Sequence, residues 1–231
     1  MLRVFCARSM HVAVTALARQ FQAGSGTATD LVLEPMGALQ ARLAAGETGD
    51  VLILTAPAID ALAASGALLS DSRAAIARAP IGVAIREGAS APDITTPDAF
   101  KDTLMAARAI ALSDPAVGGS AGIYLRELFD RIGVAERVAA KTLPQKSGVA
   151  AADAVGRGEA DLAMTFVPEL LQGVGVRILG PLPPPYGHAV AYAAGILARS
   201  RSPDAARALI AVLTAPNARR VWSTAGFEEG S

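Results

Sequence analysis

Short apolar runs alternate with amphipathic helical stretches along this chain. The runs at 2–7, 30–34 and 51–55 are each followed by a segment whose apolar residues recur with helical spacing. This alternation is typical of an α/β fold, in which helices connect largely parallel strands. The run at 51–55 is so uniformly apolar that we expect a strand inside the sheet, covered on both faces.

A second series of strands and helices follows the first. A predicted strand at 81–86 leads into 87–97, which is rich in Gly, Ala, Ser and Pro and is predicted to be a loop. Beyond this loop strands and helices alternate again. The predicted helices are 9–22, 36–45, 57–64, 97–107, 120–132, 147–157, 203–213 and 216–225, and the later strands are 109–112, 137–143, 160–166 and 189–197.

Two such series predict an α/β fold with two Rossmann-like lobes joined by a two-strand hinge. We assign 1–82 to the first lobe and 83–185 to the second, and we expect 186–231 to return to the first. A chain of 231 residues can bury roughly seven-tenths of its unfolded surface, so it needs neither disulfides nor metal to fold. One continuous doubly wound sheet is the alternative.

Charge and cysteine content exclude several classes of function. The 21 Lys and Arg residues balance 21 Asp and Glu, so the chain has no basic field for nucleic acid. A single cysteine, Cys6, excludes a disulfide framework, and two histidines disfavour a multi-histidine metal site. Because Cys6 lies in a predicted buried strand, we expect an inert core thiol. We predict no cofactor, no metal and no nucleophilic catalysis, since a Gly-x-Ser-x-Gly elbow is also absent from the sequence.

The hydropathy of the chain does not predict insertion into a membrane. The mean hydropathy of +0.38 comes largely from alanine, and the longest uncharged apolar stretch, 188–198, is far shorter than the roughly 20 residues of a spanning helix. The first ten residues lack the features of a secretory signal. As written, the sequence favours a cytoplasmic location, and a periplasmic one if an export signal has been removed.

The first candidate site follows the strand at 2–7, in the sequence Ala7-Arg8-Ser9-Met10-His11. Ligands of open α/β sheets bind beyond the carboxyl ends of the strands, where helix N-termini present N–H groups. Ser9 and the amides after it could hold an anion, and Arg8 could form a bidentate pair with a carboxylate. Alternatively, Ser9 only caps the helix and Arg8 is solvated.

Two further candidate places lie in the second lobe. Residues 113–122 contain small residues that let a backbone approach a ligand, and Ser120 precedes a predicted helix. Their spacing fits neither a dinucleotide fingerprint nor a P-loop, and an ordinary glycine-containing turn is the alternative. The third place is 156–161, Gly-Arg-Gly-Glu-Ala-Asp, between a helix end and the strand that finishes at Phe166, where a glycine helix stop and a polar strand entry is the alternative.

Taken in order, these motifs resemble the molybdate-binding proteins of ABC importers. Phe5-Cys6-Ala7-Arg8-Ser9-Met10 is similar to the opening of that family, and 37–39 with 49–53 is similar to its second strand–helix–strand passage. The segments 114–122 and 158–161 resemble its motifs in the second lobe. The resemblance covers nearly the whole chain. It implies a type 2 periplasmic-binding-protein fold that captures a small anion between two lobes and delivers it to ABC-importer membrane components.

From this resemblance and from the strand ends we predict a ligand site in the cleft between the lobes. The residues expected to line it are Arg8, Ser9, Met36, Ser120, Ala121, Ser147, Gly148 and Phe166.

Two departures from the family pattern bear on the ligand. The family has a serine where this chain has Met36 and a tyrosine where it has Phe166, so two hydrogen-bond donors are lost. A tetrahedral oxyanion needs a closed shell of donors, because a buried charge with unpaired oxygens is costly. Arg8 adds a fixed positive charge. These changes favour an organic carboxylate or polycarboxylate over molybdate.

Other functions remain open. Some proteins resembling this family are isomerases, aconitate isomerase being an example, which move a proton and a double bond in an unsaturated carboxylic acid without a cofactor. A general base would then be required, and His11, His188 and Glu34 are the candidates, although none has a diagnostic spacing. A ligand-sensing domain of a regulator is a third class, but no helix pair typical of DNA binding is recognisable.

Overall fold

Parallel strands alternate with helices in the computed structural model, which describes residues 1–117 and 120–230. These residues form two units, Met1–Ala79 with the segment that starts at Val190, and Pro80–Ala189. The chain passes between the units within β4 (Ala74–Arg86) and β9 (Ala189–Ile196). The lobes predicted from the sequence, 1–82 with 186–231 and 83–185, are expected to move relative to one another, and that motion remains a prediction.

The first unit is built on three parallel strands. β1 (Leu2–Ala7) lies between β2 (Thr29–Glu34) and β3 (Val51–Thr55), and β9 pairs antiparallel with β3. Strands β1 and β3 are almost entirely buried, which explains their uniformly apolar sequences. The other elements of this unit are α1 (His11–Ser25), α2 (Met36–Ala44), α3 (Ala56–Ala64), α9 (Pro203–Thr214), α10 (Ala218–Thr224) and β10 (Glu228–Glu229), which pairs with the first part of β4.

The second unit has a sheet of the same type. β5 (Ile110–Ser113) lies between the parallel strands β6 (Thr142–Gln145) and β7 (Leu162–Phe166), and β4 pairs antiparallel with β7 and with β8 (Val176–Pro181). The helices of this unit are α4 (Pro97–Ala106), α5 (Ser120–Arg131), α6 (Ala135–Ala139), α7 (Gly148–Gly156) and α8 (Val167–Leu170).

Alanine forms much of the core of the second unit. Helix α7 packs on β5 and β7 through side chains no larger than valine, which allows the helix axis to approach the sheet closely. The fully or nearly fully buried members of this cluster are Ala84, Ala111, Ala151, Ala152, Ala154, Val155, Ala160, Ala163 and Leu170. The high mean hydropathy of the chain therefore reflects a core of small side chains.

One predicted element was wrong, one strand was missed, and some elements begin at other residues than predicted. The segment predicted as a strand at 137–143 instead completes the short helix α6 and only then enters β6. The strand predicted at 81–86 begins seven residues earlier, at Ala74, and strand β8 was not predicted at all. The helix predicted at 9–22 begins at His11, after a 3-10 turn at Arg8–Met10. In the part of the chain that the structure describes, no helix combines the length and the apolar character required to span a bilayer.

Candidate functional site

The carboxyl ends of β1, β2 and β3 lie at one edge of the first unit's sheet. Ala7 and Glu34 are in register as the last residues of β1 and β2, and Thr55 ends β3. Arg8 and Ser9 therefore follow one strand end, and Met36 follows the next. Parallel strands present such ends together, and this is the edge at which open α/β sheets bind ligands. We call Arg8, Ser9, Met36 and Thr55 the strand-end set.

Ser9 does not cap helix α1. The N-cap residue of that helix is Met10, and no side chain caps it. The 3-10 turn at Arg8–Met10 separates Ser9 from the helix, and the Ser9 Oγ lies 2.9 Å from the hydroxyl of Tyr192 on β9. The capping alternative for Ser9 is therefore wrong. Tyr192 was missed because the two residues are 183 positions apart in the chain.

Arg8 is exposed, and none of the carboxylates in the described residues forms an ion pair with its guanidinium. Its positive charge is one of the influences that lower the pKa of Glu34. The main cause of that lowered pKa is a two-point hydrogen bond from Arg42, whose Nε and Nη2 donate to the two carboxylate oxygens at 2.9 and 2.6 Å. Arg42 thus stabilises the ionised form of Glu34, and a carboxylate with a lowered pKa is a weak general base.

Met36 begins helix α2 and is 39% exposed. The hydroxyl of Thr55 donates to its sulfur atom at 3.6 Å. Because a thioether is a weak acceptor, the hydrogen bond from the Thr55 hydroxyl to Met36 is weak. Sequence analysis did not select Thr55, although its position at the end of an apolar strand was a usable signal.

In the second unit, the ends of β5, β6 and β7 lie at a corresponding sheet edge. Ser120 is exposed at the start of α5, whereas the side chain of Ala121 is buried. The N–H of Gly122 donates to the Ser113 Oγ at 3.2 Å, and a Cβ at this glycine would collide with the Ser113 carbonyl. The predicted ligand contact of the glycine loop also involves Gly118 and Gly119, which lie outside the described residues.

The start of helix α7 has partners within the protein. The Ser147 hydroxyl accepts from the N–H of Ala150 at 3.2 Å and caps the helix. A carboxyl group, that of Glu169, lies against Gly148 and accepts from the Thr165 hydroxyl at 2.6 Å. Burial raises the pKa of Glu169, although hydrogen bonds from Thr165 and from the backbone of Phe166 and Gly148 oppose the rise. Sequence analysis missed this internal carboxyl.

The Gly-Glu-Ala-Asp motif does not lie at this edge. Residues 158–161 precede β7, whereas Phe166 ends it, so the two are at opposite ends of the strand. Asp161 accepts from the Nη2 of Arg108 at 2.6 Å and lines an open groove of about 880 Å³ together with residues of the segment 85–93. The motif therefore lies away from the binding edge, as the alternative of a glycine helix stop and a polar strand entry predicts, because a parallel strand carries its first residues away from that edge.

The other two candidate bases, His11 and His188, each contact a neighbouring group. His11 approaches the carbonyl oxygen of Arg8 through its Nδ1 at 3.2 Å. His188 stacks on Tyr124, with ring centroids 4.1 Å apart, and the Tyr124 hydroxyl donates to the carbonyl oxygen of Tyr186.

Cys6 is fully buried, and burial raises the pKa of its thiol, which confirms an inert core residue. Within residues 1–117 and 120–230, no group of three or more His, Cys, Asp or Glu side chains is placed to hold a metal ion.

Comparison with known proteins places the chain in a family. Residues 2–228 match the family described as bacterial extracellular solute-binding protein. The chain belongs to this family. A relative of this solute-binding protein, aconitate isomerase of a Pseudomonas species, is 34% identical over 222 residues, which cover 92% of the chain and 81% of the relative.

Two solved structures share the fold of this solute-binding protein. A substrate-binding domain assigned to a molybdenum ABC transporter of Clostridium difficile has a TM-score of 0.84 at 16% identity and covers 100% of this chain and 99% of that chain. The periplasmic molybdate-binding protein of Azotobacter vinelandii has a TM-score of 0.75 at 20% identity, and both chains are covered completely. These likenesses confirm the predicted type 2 periplasmic-binding-protein fold.

The two positions that lack family donors differ in exposure in this solute-binding protein. Phe166 ends β7 and is only 8% exposed, whereas Met36 is 39% exposed. Of the predicted site residues in the first unit, Arg8, Ser9 and Met36 follow neighbouring strand ends. In the second unit, Ser120, Ala121, Ser147 and Gly148 follow strand ends, and Phe166 is the last residue of β7. Their contact with a ligand remains a prediction.

Proposed function

We propose that this solute-binding protein captures a small organic carboxylate, preferably a polycarboxylate, rather than molybdate. The observation that carries the proposal is the guanidinium of Arg8, which is beside the Ser9 hydroxyl, forms no ion pair within residues 1–117 and 120–230 and lies at a strand-end edge where Met36 offers no donor. A guanidinium presents two parallel N–H groups that match a carboxylate. The relative named aconitate isomerase supports this ligand class, because aconitate is a tricarboxylate.

The proposed ligand contacts combine both units. Arg8 and Ser9 would bind one carboxylate group, and the start of α5 at Ser120 and Ala121 would supply N–H groups to another. Ser147 and Gly148 would line the site, while Met36 and Phe166 would form its apolar wall. Family membership supports capture for delivery to ABC-importer membrane components, and the periplasmic protein that shares the fold supports an action outside the cytoplasm.

Calorimetric titration tests this proposal. The carboxylates titrated are cis-aconitate, trans-aconitate and citrate, and their affinities are compared with those of molybdate and sulfate. We expect at least one carboxylate to bind more tightly than either inorganic anion. Tight molybdate binding with no carboxylate binding would overturn the proposal.

Isomerisation of an unsaturated carboxylic acid is the second candidate function. The 34% identity to a protein named aconitate isomerase favours it. Such a reaction removes a proton from one carbon, shifts the double bond and returns a proton to another carbon, so no redox partner is needed. Incubation of the protein with cis-aconitate in deuterated water, followed by proton NMR, distinguishes the two functions. Formation of the trans isomer establishes catalysis, and its absence despite binding establishes a receptor.

A further inference from the structure

A hydroxyl pair connects strand β9 to the turn that carries Arg8. The Ser9 Oγ and the Tyr192 hydroxyl are 2.9 Å apart. Tyr192 is directly opposite Thr55 in the antiparallel register of β3 and β9, so its Cα lies beside the strand-end set. Directly opposed residues of such a pair project on the same face of the sheet. Tyr192 therefore joins the proposed carboxylate site from a distant part of the chain.

The ring of Tyr192 is held in place by aromatic packing. It is 7% exposed and meets Phe227 edge to face, with centroids 6.2 Å apart at 84°. Phe227 in turn packs edge to face on Trp222, whose indole N–H donates to the carbonyl oxygen of Leu213. A phenol braced in this way has little rotational freedom, so the position of its oxygen is determined by the core of the first unit.

The direction of the hydrogen bond decides what Ser9 can do. A serine hydroxyl rotates freely and carries one proton and two acceptor lone pairs. When the Tyr192 hydroxyl donates to the Ser9 Oγ, the serine proton is free to donate to an anion beside Arg8. Linked hydroxyls also polarise one another, which strengthens the bond that the second hydroxyl gives to an anion.

We infer that Tyr192 is a positioning residue of the proposed carboxylate site and that it acts by orienting the Ser9 hydroxyl toward the ligand. This inference rests on the proposed function. The orientation of the Ser9 hydroxyl compensates in part for the donors absent at Met36 and Phe166, because a hydroxyl held toward the ligand is a better donor than a freely rotating one. A carboxylate bound by Arg8 requires few additional donors, whereas a tetrahedral oxyanion requires a full shell of them.

The test compares Tyr192→Phe, Ser9→Ala and the double variant by calorimetric titration with trans-aconitate. Tyr192→Phe keeps the ring and its packing on Phe227 and removes only the hydroxyl. We expect its Kd to rise about threefold to tenfold, as for the loss of one hydrogen bond. In the Ser9→Ala background, Tyr192→Phe should have no further effect on the Kd, since the proposed role of Tyr192 is to orient the Ser9 hydroxyl. The melting temperature of the unliganded Tyr192→Phe variant should change little.

Tyr124→Phe is the matched control. Its hydroxyl donates to the Tyr186 carbonyl in the second unit, so the variant should bind trans-aconitate as the wild type does. A Kd of Tyr192→Phe within twofold of the wild type, or equal losses in the Ser9 and Ser9→Ala backgrounds, would overturn the inference and leave the proposed function intact. Failure of the wild type to bind trans-aconitate, cis-aconitate or citrate would overturn the proposed function, and the inference with it.

Discussion

At the scale of single residues, Arg8 differs from the neighbouring arginines Arg3 and Arg42, which are ion-paired with carboxylates. Arg42 is committed to Glu34 and Glu47, with its Nη1 donating to the latter at 2.9 Å. Arg3 also contacts Glu47, so these groups form a surface network. Arg8 lies nearby without an ion-pair partner in the described residues. Because Arg8 also follows the end of β1 in the proposed site, it is the residue whose replacement we expect to affect binding most.

Arg8→Ala should raise the Kd of trans-aconitate about tenfold to a hundredfold, because a charge-assisted hydrogen bond is lost. Arg8→Lys should restore only part of the affinity, since an ammonium group cannot form the planar two-point contact. Calorimetric titration measures both values. The exposed Arg207→Ala on α9 is the control. Unchanged affinity together with a lowered melting temperature would show that Arg8 is structural.

Glu169 should make stability depend on pH in a particular direction. Burial raises the pKa of its carboxyl in the folded protein above the ordinary value of 4.5. The folded state then binds more protons than the unfolded state between the two pKa values, so this contribution is complete below about pH 4.5 and is lost as pH rises through the folded pKa. We expect the free energy of unfolding of the wild type, relative to Glu169→Gln, to decrease as pH rises from 4.5.

Urea unfolding of both proteins at a series of pH values measures this difference. Glu127→Gln, at an exposed position of α5, controls for replacing a carboxyl by an amide. A pH dependence no larger than that of the control would contradict the role assigned to Glu169.

At the scale of elements, the predictable parts were those with strong local signals. The bounds of β1 and β3 were predicted correctly because buried parallel strands have continuous apolar sequences. Strand β8 was missed because it is half-buried, follows a glycine and contains another, Gly180. Residues 137–143 were assigned to a strand because the five-residue helix α6 is too short to display a helical period.

The candidate site was predictable only in part for a related reason. Arg8, Ser9 and Met36 follow strand ends and were recognisable from their local context. The contact between Ser9 and Tyr192 depends on the pairing of β3 with β9, and the contact between Gly148 and Glu169 depends on the packing of α7 against α8. Such long-range pairings have no local signature in a single sequence.

Helix α7 should tolerate little increase in side-chain volume. Ala154 is fully buried in the alanine cluster, so Ala154→Leu should lower the free energy of unfolding by about 1–3 kcal/mol through overpacking. The exposed Ala208→Leu on α9 makes the same chemical change without this cost. Chemical denaturation of the two variants measures the difference. Equal stabilities would show that the cluster has room to spare.

At the scale of the whole molecule, the two units are connected through two strands. The chain passes between the units only within β4 and β9 among the described residues, and strands of this kind can act as hinges. If the proposed ligand contacts are made by residues of both units, we expect binding to make the molecule more compact.

Small-angle X-ray scattering should therefore show a smaller radius of gyration in the presence of saturating trans-aconitate. The melting temperature should rise with ligand concentration, as mass action requires. Arg8→Ala should need a higher ligand concentration to reach the same compaction. Identical scattering with and without a bound ligand would contradict closure.

The burial of Cys6 has a practical consequence for observing such motion. Because the only thiol of the chain is inaccessible and its pKa is raised, maleimide reagents should leave the native protein unlabelled. Cysteines introduced at exposed positions such as Ala139 and Ala208, one in each unit, would then be the only reactive sites. The natural sequence is thus already a suitable background for fluorescent or spin labels that report distances in single molecules.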